Sequence, residues 1–430
     1  MPRRRGPCHA DEVPPRRETT LHLLLTHPDG ERVARRTLTV DTRTYYGANV
    51  LEAAQAAGLS VRLLRRLAFS SLGEQDGVVQ AETVWHVHTD DPPSSLVWQR
   101  PDGWPQRERA WAHAALRPHT PRRAPWFHPG WAAGALAWLD EELRAQGLTR
   151  TGEPTVLKHW QISLLWRVPT SGGVVYLKAV PDFFGREVRV TPALAAGAPG
   201  AAPPVLAADE GRGFLLLADA GADVDAPDLP ALLRHVARVQ RASLPLLPEL
   251  GLEDRGPAQV CSRLDDLFSD GVLLVGEEGG LTPGEAGRLR DLRPELDAAL
   301  ARLEASPLPL TLGHGDLHGG NVVERAGGFT LLDWSDACVT HPFLDANAAY
   351  LAPHGTPVPV DEVEAAHTAY LEEWADLAPL EDLRALHADA LRVGELFRAL
   401  GYVEGIQPHV EDPQEWRGAH LEHLRTLLAR

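Results

Sequence analysis

Between residues 310 and 337 the chain reads LTLGHGDLHGGNVVERAGGFTLLDWSDA, in which two apolar runs flank a glycine pair. Asn321-Val-Val-Glu-Arg and Phe329-Thr-Leu-Leu-Asp333 have the length and composition of strands. Ala326-Gly327-Gly328 between them is a tight-turn signal, so the segment predicts a β-hairpin. Centred on Gly327, such a hairpin sets Asn321, six residues before the turn, opposite Asp333, six residues after it. Asp316 precedes Asn321 by five residues, on a glycine-containing loop able to fold over the same open end. A carboxylate, an amide oxygen and a second carboxylate would then converge. Oxygen ligands of this kind suit Mg²⁺, which takes one or two carboxylates together with substrate phosphates.

The rest of the chain brackets this segment unevenly. A helix over Trp131–Gly147 is followed by three strand-like runs, TVLKHW, ISLLWRV and VVYLKAV, then a helix in GREVRVTPALAA and a further strand in GFLLLAD. Beyond about residue 225 the periodicity is mostly helical, with the 310–334 interruption. Upstream, residues 19–108 predict a small α+β unit that opens with a hairpin turning at Pro28-Asp29-Gly30. Residues 109–130, rich in tryptophan and proline, read as a linker wrapped onto a surface. Seven of the twelve tryptophans lie between Trp85 and Trp138, where packing of domains is the expected role.

His314-Gly-Asp316-Leu-His-Gly-Gly-Asn321, followed by Leu332-Asp333-Trp334, resembles the catalytic and metal-binding segments of the aminoglycoside phosphotransferase family. The resemblance covers about residues 130–430. It implies a two-lobed, protein-kinase-like α+β fold, with a small β-rich N-lobe over 131–222 and a mostly helical C-lobe over 223–430. It further implies that Asp316 accepts or orients the proton of an acceptor hydroxyl, and that Asn321 and Asp333 hold the metal ions bridging the nucleotide phosphates. His314 is expected to brace the loop. Asp345, in HPFLDANAAY, is expected to cap a helix and steady the catalytic loop.

Phosphoryl transfer also needs a cation for the nucleotide phosphates. Only two of the 42 basic residues are lysines, Lys158 and Lys178. Lys178 sits in VVYLKAV and Glu187 follows nine residues later in the next helix, which matches in order and spacing the family's strand lysine and helix glutamate. Lysine supplies a compact point charge that a planar guanidinium does not reproduce. The turn Trp160-Gln161-Ile162-Ser163 departs from a glycine-rich phosphate loop, leaving backbone amides near Gln161 and the Ser163 hydroxyl to reach a phosphate. Lys158 has two open readings, assistance there or a solvent-facing role. The strand GFLLLADAG resembles the family's hinge, whose backbone would bind adenine near Leu217, Ala218 and Asp219.

The expected activity is therefore an ATP- and Mg²⁺-dependent transfer of the γ-phosphate to a hydroxyl of a small molecule: an aminoglycoside, an amino alcohol or a sugar-like compound. The alternative is a catalytically weak nucleotide-binding protein with a fused recognition domain. Net charge is −17, which argues against a nucleic-acid partner. Residues 361–430 carry 15 acidic side chains and 6 arginines, a surplus that could favour a cationic acceptor or simply be the wet face of helices. Glu372, Glu373, Glu404 and Asp412 have no assigned pocket.

The N-terminal unit resembles a degenerate Nudix domain, but Gln55 and Ala56 stand where metal-binding carboxylates would be needed and only Glu52 matches, so Nudix hydrolysis is not expected. His86 and His88 share a strand face without a third zinc ligand. Three scattered cysteines form neither a disulfide framework nor a metal site, no run is long enough to span a membrane, and no apolar h-region follows the arginine-bearing start. Residues 1–18 read as a disordered tail. A cytoplasmic location with no membrane partner is the expectation.

Overall fold

The structure, a computed structural model, describes residues 16–44, 47–75, 77–224, 226–325, 327–352 and 358–429. Most of the expected disordered tail lies outside the described residues, while residues 16–18 already belong to a strand. The chain divides into two compact units, residues 1–181 and 182–430.

In the first unit, β1 (Arg16–Thr26) and β2 (Val33–Val40) pair antiparallel around a turn in which the Gly30 N–H donates to the His27 carbonyl. Gly30 takes a φ of +72°, the left-handed region that favours glycine. After helix α1 (Ala48–Ala56), strands β3 (Arg62–Gln75) and β4 (Val78–His88) complete a sheet of order β2-β1-β4-β3. The β1–β4 pair is parallel. Alternation along β1 and β4 feeds two small cores. Leu21, Leu23, Leu25, Trp85 and Val87 pack with Val50 and Ala54 of α1. Leu24 and Val84 pack with Trp104, Ala112 and Ala115.

Ala112 and Ala115 belong to helix α2 (Gln106–Leu116), which takes in residues 109–116 of the stretch read as a linker. Proline and tryptophan hid an eleven-residue helix whose small face is spaced at i, i+3. Helix α3 (Trp131–Ala145) follows. Then comes an antiparallel meander of β5 (Thr155–His159), β6 (Leu164–Thr170) and β7 (Gly173–Ala179). Several aromatic groups knit this unit together. The Trp85 indole donates to the Thr44 carbonyl, Trp126 donates to the Trp160 carbonyl, and His159 Nε2 bonds the Leu64 carbonyl at 2.9 Å.

The second unit opens with α4 (Arg186–Gly197), the hairpin β8 (Val205–Asp209) and β9 (Phe214–Ala218), the short β10 (Ala222–Asp223) and α5 (Leu229–Ser243). Three brief helices follow, α6 (Leu247–Leu250), α7 (Pro257–Ser262) and α8 (Leu264–Leu267). Next are α9 (Pro283–Asp291) and α10 (Arg293–Glu304). The two are separate helices because Pro294 cannot donate within a continuing helix, and the second starts at Arg293. Helix α9 begins with a capping box between Thr282 and Glu285.

Strands β11 (Thr311–Gly313), β12 (Val322–Arg325), β13 (Gly328–Leu331) and β14 (Cys338–Thr340) make two small sheets, β11-β14 and β10-β12-β13. Helices α11 (Ala348–Leu351), α12 (Val360–Glu372), α13 (Leu380–Leu400) and α14 (Ala419–Ala429) complete the unit. One continuous apolar core runs through it, with Leu232, Leu233 and Val236 of α5 meeting Tyr370 and Trp374 and, from α13, Val393, Leu396 and Phe397. Among the described residues no helix is long and apolar enough to cross a membrane.

Candidate active site

Two strands fix the loop that carries Asp316. Gly313, the last residue of β11, pairs with Cys338 of β14, and a Cβ on Gly313 would stand 2.5 Å from Thr340 Cγ2. Gly315 has a φ of +83°, and a Cβ there would stand 2.3 Å from the Asp336 carbonyl oxygen. Only glycine meets both conditions, so Gly315 is where this loop is pinned. His314 acts as a brace, its Nε2 lying 2.7 Å from the Leu332 carbonyl and its ring against Trp334.

Asp345 holds the loop from below. Its Oδ2 accepts from the backbone N–H groups of His314 and Gly315. The expected helix cap is corrected here. Asp345 ends a 3₁₀ turn, and the cap of α11 is Asn347, whose Oδ1 accepts from Ala349 N–H. With its carboxylate committed to the loop, Asp345 is not placed to cap.

The hairpin forms, but its register differs by one from the expectation. Arg325 pairs with Gly328 and Val322 with Leu331, so the turn centre falls between residues 326 and 327. Asn321 therefore faces Leu332, whose N–H donates to the Asn321 carbonyl at 2.8 Å. The register shifts because Gly328, read as part of the turn, is taken into β13.

Asp333 lies past the strand, with a φ of +65° that is rare for a residue bearing a Cβ. That conformation costs on the order of 1–3 kcal/mol and persists where the surroundings dictate it, commonly at functional sites. The Ser335 hydroxyl donates to Asp333 Oδ1 at 2.8 Å and orients the carboxylate. Asn321 is buried and its Nδ2 donates to the Asp316 carbonyl at 3.0 Å, so its remaining polar atom is the acceptor Oδ1.

Asp316 itself is half open, with 50% of its side chain exposed. Burial of its surroundings raises its pKa above the ordinary carboxylate value. Arg398 and His314 oppose the rise, and the negative charges of Asp333 and Asp345 add to it. Asp336 is pushed up to about 6, first by burial, then by Asp316, with Asp333 adding and Arg255 and Arg186 opposing. The negative charges of Asp316, Asp333 and Asp336 thus act on one another, a crowding that a divalent cation relieves. Among the described residues no group of three or more His, Cys, Asp and Glu side chains is arranged as a metal cage. Two carboxylates and an amide oxygen fit Mg²⁺ in the form that borrows its other ligands from phosphates and water.

Arg398 is the site residue that the motif could not reveal. It comes from α13, is 8% exposed, and its Nη1 lies 3.6 Å from Asp316 Oδ1 while Nη2 donates to the Leu317 carbonyl at 2.6 Å. The guanidinium carbon stands 4.0 Å from the centre of the Tyr350 ring. Tyr350 donates in turn to Glu395, one helical turn back on α13 and 1% exposed, whose same oxygen lies 3.0 Å from His423 Nδ1. A sequence signal did exist. Arg398 interrupts the buried run Leu396-Phe397-Arg398-Ala399-Leu400, where a guanidinium is unexpected without a partner.

The other expected residues fall as follows. Lys178 lies buried in β7 opposite Leu165. Glu187 lies buried in the first turn of α4, where a carboxylate complements the helix dipole. The two belong to different compact units. Ser163 is buried at the end of a turn closed by the Trp160 N–H on the Ser163 carbonyl at 2.9 Å, and Lys158 Nζ stands 5.5 Å from the Trp160 ring.

In the hinge-like segment, Leu217 pairs with Val205 and the Ala218 N–H donates to the Pro204 carbonyl. The Asp219 carbonyl accepts from Arg325 Nη1 at 2.9 Å. Two of the backbone groups expected to face adenine are thus already bonded within the protein. The same segment runs on into β10, which pairs with β12 of the β12–β13 hairpin, and Gly221 allows the approach, since a Cβ there would stand 2.3 Å from the Glu324 carbonyl oxygen.

A model of the phosphotransferase enzyme family matches residues 166–383. No curated protein matches the chain. Among solved structures, a choline/ethanolamine kinase family protein from Mesorhizobium loti is similar at 19% identity, with 70% of this chain and 95% of that one covered and a TM-score of 0.46. The macrolide 2'-phosphotransferase MphH from Brachybacterium faecium is similar at 19% identity, over 67% of this chain and 98% of that one, with a TM-score of 0.46. A fructosamine-3-kinase-like protein from Thermobifida fusca has 21% identity, coverage of 67% and 98%, and a TM-score of 0.43. With a matched family model spanning half its length, the chain belongs to the phosphotransferase enzyme family and is a small-molecule phosphotransferase with a protein-kinase-like α+β fold.

Proposed function

We propose that the protein transfers the γ-phosphate of ATP to a hydroxyl of a small molecule in an Mg²⁺-dependent reaction. The observation that carries this reading is the Asp316 loop. It presents a carboxylate fixed from three directions: Asp345 on the backbone N–H groups of His314 and Gly315, the Asn321 amide on the Asp316 carbonyl, and Arg398 beside the carboxylate. Such a group orients an acceptor hydroxyl and takes its proton as the oxygen attacks, a positioning role worth several kcal/mol in reactions of this type.

A Mg²⁺ bound at Asn321 and Asp333 would neutralise charge on the transferring phosphates. Arg398 offsets part of the desolvation that raises the Asp316 pKa. Lys178 and Glu187 are read as the phosphate-binding lysine and its helix partner, Ser163 as a phosphate contact, and Leu217, Ala218 and Asp219 as the adenine-side strand. Adenine recognition is left chiefly to groups other than the Ala218 N–H, which is spoken for, while the Asp219 carbonyl keeps one lone pair beyond its bond to Arg325.

The acceptor is a hydroxyl compound of the aminoglycoside, amino alcohol or sugar class. Its charge is not set by the acidic C-terminal helices, because much of their surplus is paired. Glu372 and Glu373 of the α12 end and Asp376 beyond it meet Arg234, Arg238 and Arg241 of α5, and Glu404 meets Arg263. Asp412 caps a 3₁₀ turn through the Gln414 N–H. Cys261 and Cys338 are free thiols, in keeping with a cytoplasmic setting. The reading is tested by incubating the protein with Mg·ATP and a panel of neutral sugars, amino alcohols and aminoglycosides while following ADP. ADP formation that depends on one acceptor class supports transfer. Mg²⁺-dependent ATP binding with no turnover on any acceptor would favour the weak nucleotide-binding alternative.

A further inference from the structure

The first unit contains a cavity of about 750 Å³ that the phosphotransferase reading does not use. Its walls come from the end of α1 and the start of β3 on one side, and from α3, β5 and β6 on the other. Leu59, Leu63, Trp126, Trp131, Leu164 and Trp166 supply the apolar lining. The tryptophans form an edge-to-face array, with Trp131 at 6.1 Å from Trp126 and 5.7 Å from Trp166, ring centre to ring centre. This volume lies within the range of sites for ring-bearing small molecules, and indole faces and edges favour such rings.

Polar side chains are few: the neutral Gln55 and Ser60 on the α1–β3 side, two charged groups and one histidine. At the rim, Glu153 pairs with Arg150 and Arg62 pairs with Asp90, so neither charge calls for a charged ligand. In the wall, His159 Nε2 bonds the Leu64 carbonyl and must carry the proton there, which makes Nδ1 of the neutral ring an acceptor. An occupant suited to this lining is uncharged, with an apolar ring body and one hydrogen-bond donor.

The cavity also adjoins a structural joint. His159 and Leu164, both in its wall, are the residues on either side of the turn 160–163. The same turn is tied to Trp126, another wall residue, through the indole N–H on the Trp160 carbonyl at 2.7 Å. Anything that fills the cavity therefore presses on both ends of this turn and on its anchor.

We propose that this cavity is a binding site for a neutral, ring-bearing amphipathic small molecule, and that its occupancy orders the turn at residues 160–163. The site stands independently of the phosphotransferase reading. If that turn also covers nucleotide phosphates, the ligand is an effector of the enzyme, because coupling between two such sites is reciprocal.

The test uses the full chain and N-phenyl-1-naphthylamine, a neutral fluorescent probe with one N–H donor. Expected is saturable, one-to-one enhancement of probe emission excited through tryptophan, together with slowed amide hydrogen exchange in the peptide spanning 159–164. Two variants that fill the cavity from opposite walls, Ala132→Trp and Val61→Trp, should each weaken probe binding at least tenfold while the melting transition is retained. Non-saturable binding, equal binding in both folded filling variants, or saturable binding without protection at 159–164 would each overturn the proposal. None of these readouts depends on phosphoryl transfer, so failure of the enzymatic reading is seen separately.

Discussion

Replacing Arg398 by methionine removes the cation beside Asp316 while keeping an unbranched side chain in the α13 core. At 3.6 Å, two unit charges interact by about 4–5 kcal/mol at an effective dielectric near 20. Half of the Asp316 side chain meets solvent, so a dielectric two to four times higher applies and about 1–2 kcal/mol remains. Since one pKa unit is about 1.4 kcal/mol, the Asp316 pKa should climb by about one unit. Burial already raises this pKa and Arg398 opposes the rise, so its removal moves the group further in the same direction. The acid limb of kcat/KM for the acceptor should therefore shift upward by about one pH unit. At a given pH on that limb activity falls by up to about tenfold, and the gap closes on the plateau above it as Asp316 ionises again. Arg398→Lys should restore most of the limb but not the bond to the Leu317 carbonyl. A pH–rate profile in Arg398→Met that superimposes on the wild type, at equal ATP affinity and with the fold retained, would refute the argument.

Further outcomes follow from the same geometry. Gly315→Ala places a Cβ 2.3 Å from the Asp336 carbonyl at a left-handed φ, and should cost about 2 kcal/mol or more in stability and nearly all turnover, measured by urea unfolding and ADP release. Asp345→Asn should leave nucleotide binding near normal and lower kcat, because one charged acceptor holds two loop N–H groups; kcat and KM separate the two effects. Burial lowers the pKa of His86 and His341 to about 3 and of His159 and His367 to about 4. The unfolded chain binds protons at these histidines near pH 6.5 and the folded one does not, so each contributes stability that is present above 6.5 and lost as pH falls towards its folded value. That loss approaches about 1.4 kcal/mol per group per pH unit, and melting temperatures recorded from pH 7 to 4.5 should fall steeply.

Much of this was legible in the sequence, for reasons that particular residues make plain. The order Asp316, Asn321, Asp333 is local, and its strands carry their own apolar runs, so the hairpin and its loop could be read directly. The register could not, because Gly327 and Gly328 each serve as turn or strand and the tertiary setting places Gly328 in β13. The bracing by His314 was readable from the motif, whereas the role of Asp345 as a loop anchor in place of a helix cap depends on where the 3₁₀ turn ends. Helix α2 was masked because proline and tryptophan dominate the composition around it, while its burial rests on two alanines. Arg398 lies 82 residues from Asp316, a separation no local pattern spans. The acidic surplus at the C-terminus was counted correctly, but its pairing with Arg234, Arg238 and Arg241 on α5 is a tertiary fact.

The most direct measurement compares Asp316→Asn with the wild type, using Mg·ATP and whichever acceptor class drives ADP release. Asparagine keeps the size of the side chain and removes the charge and basicity on which the proposed proton transfer depends. The account predicts that kcat falls by at least a hundredfold while the dissociation constant of Mg·ATP changes by less than about threefold. Turnover within a few-fold of wild type in a folded, ATP-binding Asp316→Asn protein would contradict it.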